Sequence, residues 1–203
     1  MSAQTTTHPT EANVATEATT EARSSRVGRL MGFFIGVAIV GWGASAFLTA
    51  VHFWALPLPE GIEPQGSMAV ITSPWAYIGP IPLALVGALY YVVMIALGAT
   101  WRVTRNALLD TVMLPMTGLG VLMSAGLVYL QLGPIGEICP FCMVSATATT
   151  LLFLTELTIK SQGGSRVARP ANPSIVWGTA FVATLLLTLA AMFGLTIAPI
   201  PGA

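Results

Sequence analysis

The sequence predicts an all-α integral membrane protein with five spanning helices, and three observations carry that prediction. The 203 residues are 55% hydrophobic and 8% charged, where a soluble domain carries about 25% charge. Long stretches hold no Asp, Glu, Lys or Arg, notably 30–59 and 64–101, and a membrane crossing needs about 20 apolar residues. Threaded as five spans with the N-terminus inside, the chain places all eight basic residues on one side, as cytoplasmic loops require. These are Arg23, Arg26, Arg29, Arg102, Arg105, Lys160, Arg166 and Arg169. The loops between the first and second and the third and fourth spans carry Glu60, Glu63 and Glu137 and no base. Net charge is zero, so no long-range field points to nucleic acid.

Residues 1–28 are rich in Thr, Ala, Glu and Ser and read as a disordered cytoplasmic tail. No apolar run follows the first Met, so no signal peptide is expected, and 29–203 form the membrane domain. The first span lies within 30–59, and Pro57, Pro59, Pro64 and Gly66 then punctuate a loop. The second span begins near Pro80–Pro82 and ends before Trp101, with Arg102 and Arg105 in a short turn. The third runs from about Asp110, where a carboxylate suits the helix dipole, to Leu132. Gly133–Glu137 reads as a tight loop. The fourth span runs from the cysteines to about Ile159, and the fifth covers Ile175–Ile197 after a polar loop. Trp54 and Trp75 are expected in an outer aromatic belt, Trp101 and Trp177 in an inner one. Gly32 and Gly36 fit a small-xxx-small helix-packing pattern. Glu156 and Lys160, four apart in the favourable order, read as a structural pair.

The chemistry concentrates in Ile138-Cys139-Pro140-Phe141-Cys142-Met143, which holds the only two cysteines. Two thiols three apart with Pro between them are the pattern of a dithiol–disulfide redox pair. Pro at the first position of a helix costs nothing, so the pair opens the fourth span, where free N–H groups and the dipole favour a thiolate. Two cysteines in an apolar chain are also compatible with inert core residues. A zinc site would be half empty without nearby Cys or His partners, and copper(I) with Met143 is a further option. The five-span threading puts the pair at the outer, oxidising mouth, within reach of a lipid-soluble two-electron carrier such as a quinone. Ser145, Ala146 and Thr149 follow Cys142 at helical spacing and read either as one wall of a ring-shaped pocket or as close helix packing. Ser73, at the same depth ahead of the second span, is either a hydroxyl donor to a carbonyl or a turn residue before Pro74. His52 reads as a packed interfacial histidine rather than a proton relay.

Three stretches together resemble the vitamin K epoxide reductase family in its bacterial form. They are Gly41-Trp42-Gly43-Ala44-Ser45-Ala46-Phe47-Leu48-Thr49, then Val70-Ile71-Thr72-Ser73-Pro74-Trp75-Ala76 with Ile81-Pro82-Leu83-Ala84-Leu85-Val86-Gly87, then Ile138 to Ser145. The resemblance covers about residues 30–160. It implies a four-helix bundle around a quinone, ubiquinone or menaquinone, with a fifth peripheral transmembrane helix, in a bacterial plasma membrane. It implies that Cys142 faces the quinone, that Cys139 faces incoming thiols, and that Ser73 bonds a quinone oxygen. The family's second cysteine pair, in the loop between the first two spans, has no counterpart here. Ser67 stands where the second loop cysteine belongs. Asn and Tyr contacts of vertebrate members are replaced by residues such as Ala96 and Ala146, which argues against epoxide reduction. No fused thioredoxin-like domain is expected, so the thiol partner is a separate extracytoplasmic thioredoxin-like protein.

Two functions follow as expectations. One is a quinone-linked thiol oxidoreductase with Cys139 and Cys142 catalytic and Ser73 and Ser145 on the quinone. The other is a non-catalytic membrane subunit in which the cysteines form a structural disulfide. A metal-carrying membrane protein ranks third.

Overall fold

The computed structural model describes residues 11–197 except 57, 59, 60, 62, 167 and 169. Six helices follow in order: α1 (Glu11–Ala55), α2 (Ser67–Thr72), α3 (Leu83–Thr104), α4 (Ala107–Leu130), α5 (Pro140–Ser161) and α6 (Pro173–Ile197). Among the described residues, five are long and apolar enough to cross a membrane, as the charge-free stretches require. The short α2, a 3-10 turn over Pro74–Ala76 and a two-rung hairpin, β1 (Tyr77–Ile78) with β2 (Ile81–Pro82), fill the connection from α1 to α3.

The centre of the bundle is α1, which packs on α3, α5 and α6, while α4 packs mainly on α5. The main contacts of α6 are with α1 and α3, consistent with a peripheral fifth helix. Close approach of α1 and α3 comes from glycines whose Cβ would collide: at Gly41 with the Tyr91 ring, at Gly98 with Ile35 and Phe34. Gly36, half of the expected small-xxx-small pair, has nothing within 4 Å of a built Cβ, and Gly32 meets only the Arg102 guanidinium at 3.7 Å. The packing glycines are therefore not the pair that the pattern suggested. The pattern marks spacing along one helix, whereas crossing points depend on both.

Other boundaries differ from expectation. The tail expected over 1–28 is helical from Glu11 onward, in continuity with the first span. Ala and Glu sustain helix, and Val27 and Met31, both fully buried, anchor this stretch to the core. At 45 residues, α1 is about 68 Å long, more than twice the roughly 30 Å hydrocarbon layer. Trp101 is not an interfacial belt residue but fully buried. Its indole N–H donates to Asp110, and the Arg105 guanidinium lies 4.3 Å from the ring centre. Asp110 thus serves as a bridge, accepting also from the Ser165 N–H at 3.1 Å. Asp110 also stands in the first turn of α4, where the dipole favours it, and the cap is Asn106, whose side chain accepts from the Leu108 N–H at 2.9 Å. The loop expected over Gly133–Glu137 is largely a π-helical turn, Gln131–Ile135, closed by Gly136 at φ 72.

Glu156 is fully buried and neither carboxylate oxygen has a hydrogen-bond partner among the described residues, while Lys160 is exposed. The structural pair expected with Lys160 therefore forms no hydrogen bond. A buried polar group without partners costs about 1–3 kcal/mol. Glu156→Leu should accordingly raise the melting temperature in detergent. An unchanged or lower melting temperature would show that the carboxyl is compensated.

Candidate redox site

Local sequence sets the position of both thiols. Pro140 occupies the first turn of α5, and Cys139 is the residue that caps it. The Cys139 sulfur accepts from the Cys142 N–H at 3.3 Å, using one of the N–H groups that a helix start leaves unpaired. Both cysteines are free. Cys139 is fully buried and Cys142 half-buried.

Cys139 sits one residue ahead of the membrane-spanning segment. Its thiol is held well below the ordinary range, first by hydrogen bonding from the Cys142 thiol, then by the Ser67 hydroxyl and the backbone N–H groups of Cys142 and Phe141; burial opposes them. Ser67, the residue at the position of the missing loop cysteine, therefore reaches Cys139 from the first turn of α2. The Cys139 N–H donates to Gln131 Oε1 at 2.8 Å, so the π-helical turn holds the backbone on which the thiol is mounted. Above Cys139, Val70 and Ile71 of α2 and Leu48 of α1 complete an apolar cluster. A second link holds α2 in place: Glu137 Oε2 accepts from the Gly66 N–H at 3.0 Å.

Cys142 faces the other way, into a partly open cavity of about 120 Å³ lined by α1, α2, α3, α4, α5 and the turns between them. Its walls are mostly apolar, with Leu48, Ile71, Leu83, Leu127 and Val128 among them. Six polar side chains besides Cys142 line it: Ser45, His52, Ser73, Ser124, Gln131 and Ser145. A dry cavity of about 150 Å³ accepts a benzene ring, so this one is on the scale of a single quinone ring. An apolar pocket with a few convergent polar groups is the usual form of a small-molecule site.

The structure thus brings Cys142, Ser73 and Ser145 to one cavity and leaves Cys139 behind it. The Ser73 hydroxyl donates to the Val70 carbonyl at 2.8 Å, leaving its oxygen lone pairs as acceptors. Ser145 is positioned by Tyr91 of α3, which sequence reasoning missed. The Tyr91 hydroxyl donates to the Ser145 carbonyl at 2.6 Å and lies 3.0 Å from Ser145 Oγ and 2.8 Å from Thr149 Oγ1. Thr149 is buried in that network and does not line the cavity, in keeping with a packing role. Gln131 was also missed. The available signal was the same for both: a polar side chain inside a charge-free span must find a partner. His52 is packed edge-on against Phe53 and Tyr77 and also lines the cavity.

The sequence pattern of the Vitamin K epoxide reductase family matches residues 33–157, a range holding Cys139, Cys142, Ser67, Ser73, Tyr91, Gln131 and Ser145. No curated protein matches the chain.

Proposed function

The chain belongs to the vitamin K epoxide reductase family, and from that premise we propose that it is a quinone-linked thiol oxidoreductase acting through Cys139 and Cys142. Membership carries a membrane-embedded redox role linked to quinones; the rest is our reading. The observation that carries it is the division between the two thiols: Cys142 lines a ring-sized apolar cavity, while Cys139, three residues away, accepts the Cys142 N–H and is favoured as the thiolate.

The residues fit a quinone head group. The walls are mostly apolar; Ser145, His52 and Gln131 supply polar contacts for ring oxygens, while Ser73, whose proton goes to the Val70 carbonyl, offers an acceptor to a hydroquinone hydroxyl. A bound quinone, ubiquinone or menaquinone, supplies a two-electron, two-proton acceptor. A thiolate of the reduced partner attacks the Cys139 sulfur of the Cys139–Cys142 disulfide and releases the Cys142 thiolate; the partner's second thiol then displaces Cys139, leaving the partner as a disulfide and both site cysteines reduced. Closing the Cys139–Cys142 disulfide releases two electrons and two protons, which balance the quinone's uptake. Tyr91 keeps Ser145 oriented throughout.

The partner is a separate thioredoxin-like protein on the extracytoplasmic side. The distribution of bases supports this orientation: Arg102, Arg105, Lys160 and Arg166 lie at the helix ends remote from the cysteines, as cytoplasmic ends require. The cell envelope is that of a bacterium, and disulfide-bond formation is the process served.

The full chain in detergent, mixed with a dithiol reductant and a soluble quinone analogue, should consume the quinone absorbance. Cys142→Ala should reduce that consumption to the rate seen without protein. Equal rates for both proteins would sink the proposal. The burial of Cys139 beneath α2 favours the second reading, a non-catalytic subunit with a structural disulfide. That reading requires a disulfide that resists strong reductants.

A further inference from the structure

At the end of the bundle remote from the cysteines, a polar recess of about 770 Å³ lies between α1, the end of α3 and the segment before α6. Three guanidiniums line it, those of Arg29, Arg102 and Arg105, against one carboxylate, Glu21. The backbone is built to bring them there. Arg105 adopts a left-handed conformation at φ 53 as it caps α3, which L-residues other than Gly and Asn adopt at a cost. Its guanidinium stacks on the Trp101 ring. The Arg102 carbonyl accepts the Ala171 N–H at 2.9 Å, closing one wall. Opposite Arg102, Gly32 leaves the space that the guanidinium fills.

Arg102 Nε and Arg105 Nε and Nη1 are buried, with no hydrogen-bond partner among the described residues. Burial and then the neighbouring Arg102 push Arg105 down to about 10, and Asp110 opposes this only in part. Asp110 already accepts from the Trp101 indole and the Ser165 N–H. Buried N–H groups without hydrogen-bond partners are costly even on half-buried side chains, and forked N–H donors match phosphate oxygens in pairs. The recess adjoins the end of the membrane-spanning segment Leu83–Thr104, at the depth of lipid head groups. Its volume exceeds what one phosphate fills.

We propose that this recess binds the phosphate head group of an acidic phospholipid, with Arg102 and Arg105 as its principal donors. Arg29 stands at the exposed rim. The test uses the full chain in a zwitterionic detergent, mixed with equal amounts of phosphatidylglycerol and phosphatidylcholine and read by native mass spectrometry. Wild type should retain phosphatidylglycerol preferentially. Arg102→Gln with Arg105→Gln should weaken that retention about 25-fold, at roughly fivefold per guanidinium near a membrane surface. Gly32→Leu, which fills the recess and keeps every charge, should remove the preference as well. Lys160→Gln removes an exposed charge outside the recess and should leave it intact. Equal retention of both lipids by wild type overturns the proposal, as does a preference surviving in both Gly32→Leu and the double variant. Loss of the preference in Lys160→Gln overturns it too, because general charge would then be the cause. Bound phosphatidylglycerol displaced by inorganic phosphate would make the free anion the occupant and overturn the lipid assignment. If the double variant fails to fold, wild type and Gly32→Leu still decide.

Discussion

Exchange of Cys139 for serine should bring dithiol-dependent quinone reduction down to the uncatalysed rate while leaving quinone binding in place. The two halves of that result come from different features of the site. Cys139 does not line the cavity, so a serine in its place alters no wall of the quinone pocket. Without a second sulfur, however, Cys142 can form only a mixed disulfide with the reductant, and no internal disulfide can close to deliver an electron pair. Binding is measurable separately, because Trp75 lines the same cavity and its fluorescence should be quenched by the quinone analogue. Retained quenching with lost turnover is the expected combination. Turnover surviving in Cys139→Ser would show that Cys142 works with an external thiol alone. Loss of quenching would mean that the substitution had disturbed the pocket itself, and the separation of roles between the two thiols would fall.

That separation was partly legible in the sequence. The spacing of Cys139 and Cys142 with Pro140 between them is a local signal, and it places the sulfur atoms at a helix start without knowledge of any other element. The five spans were legible for the same reason: length and hydropathy are properties of single segments. Ser73 and Ser145 emerged as alternatives from spacing, with the resemblance deciding for Ser73, and the structure puts both on one cavity. What spacing could not supply is what depends on two segments at once. Tyr91 finds Ser145 across 54 residues, and Glu137 finds Gly66 across 71; neither separation leaves a periodic trace. Trp101 looked interfacial because it stands at the end of a charge-free run, yet Asp110 and Arg105 draw it inward. Glu156 and Lys160 lie at ideal spacing, but the bundle buries one and leaves the other in solvent. The helical stretch from Glu11 to Gly28 was misread because its composition is polar, although Val27 supplies a buried anchor.

The long-range link from Glu137 to Gly66 bears directly on how a partner reaches the buried thiol. Cys139 is fully buried, and the elements above it are α2, through Val70 and Ile71, and the Ser67 hydroxyl. At six residues, α2 is too short to be stable by itself, so its position depends on what holds its ends. Gly66, at φ 56, provides the turn into α2, and its N–H is fixed by the Glu137 carboxylate only two residues ahead of Cys139. The thiol and the latch over it therefore share one short segment. A hydrogen bond to a charged group contributes about 1.5–3 kcal/mol, and partial exposure of both groups favours the lower figure. Glu137→Ala should then raise the rate at which a small alkylating reagent modifies Cys139 by about tenfold, measured in a Cys142→Ser background so that a single thiol is counted. Glu137→Gln retains an acceptor oxygen and should give a smaller increase. An unchanged rate in Glu137→Ala would mean that α2 is held by its apolar contacts alone. In a chain without loop cysteines to carry electrons inward, a faster opening of α2 should also speed reduction by a protein dithiol, because access to Cys139 then sets the pace.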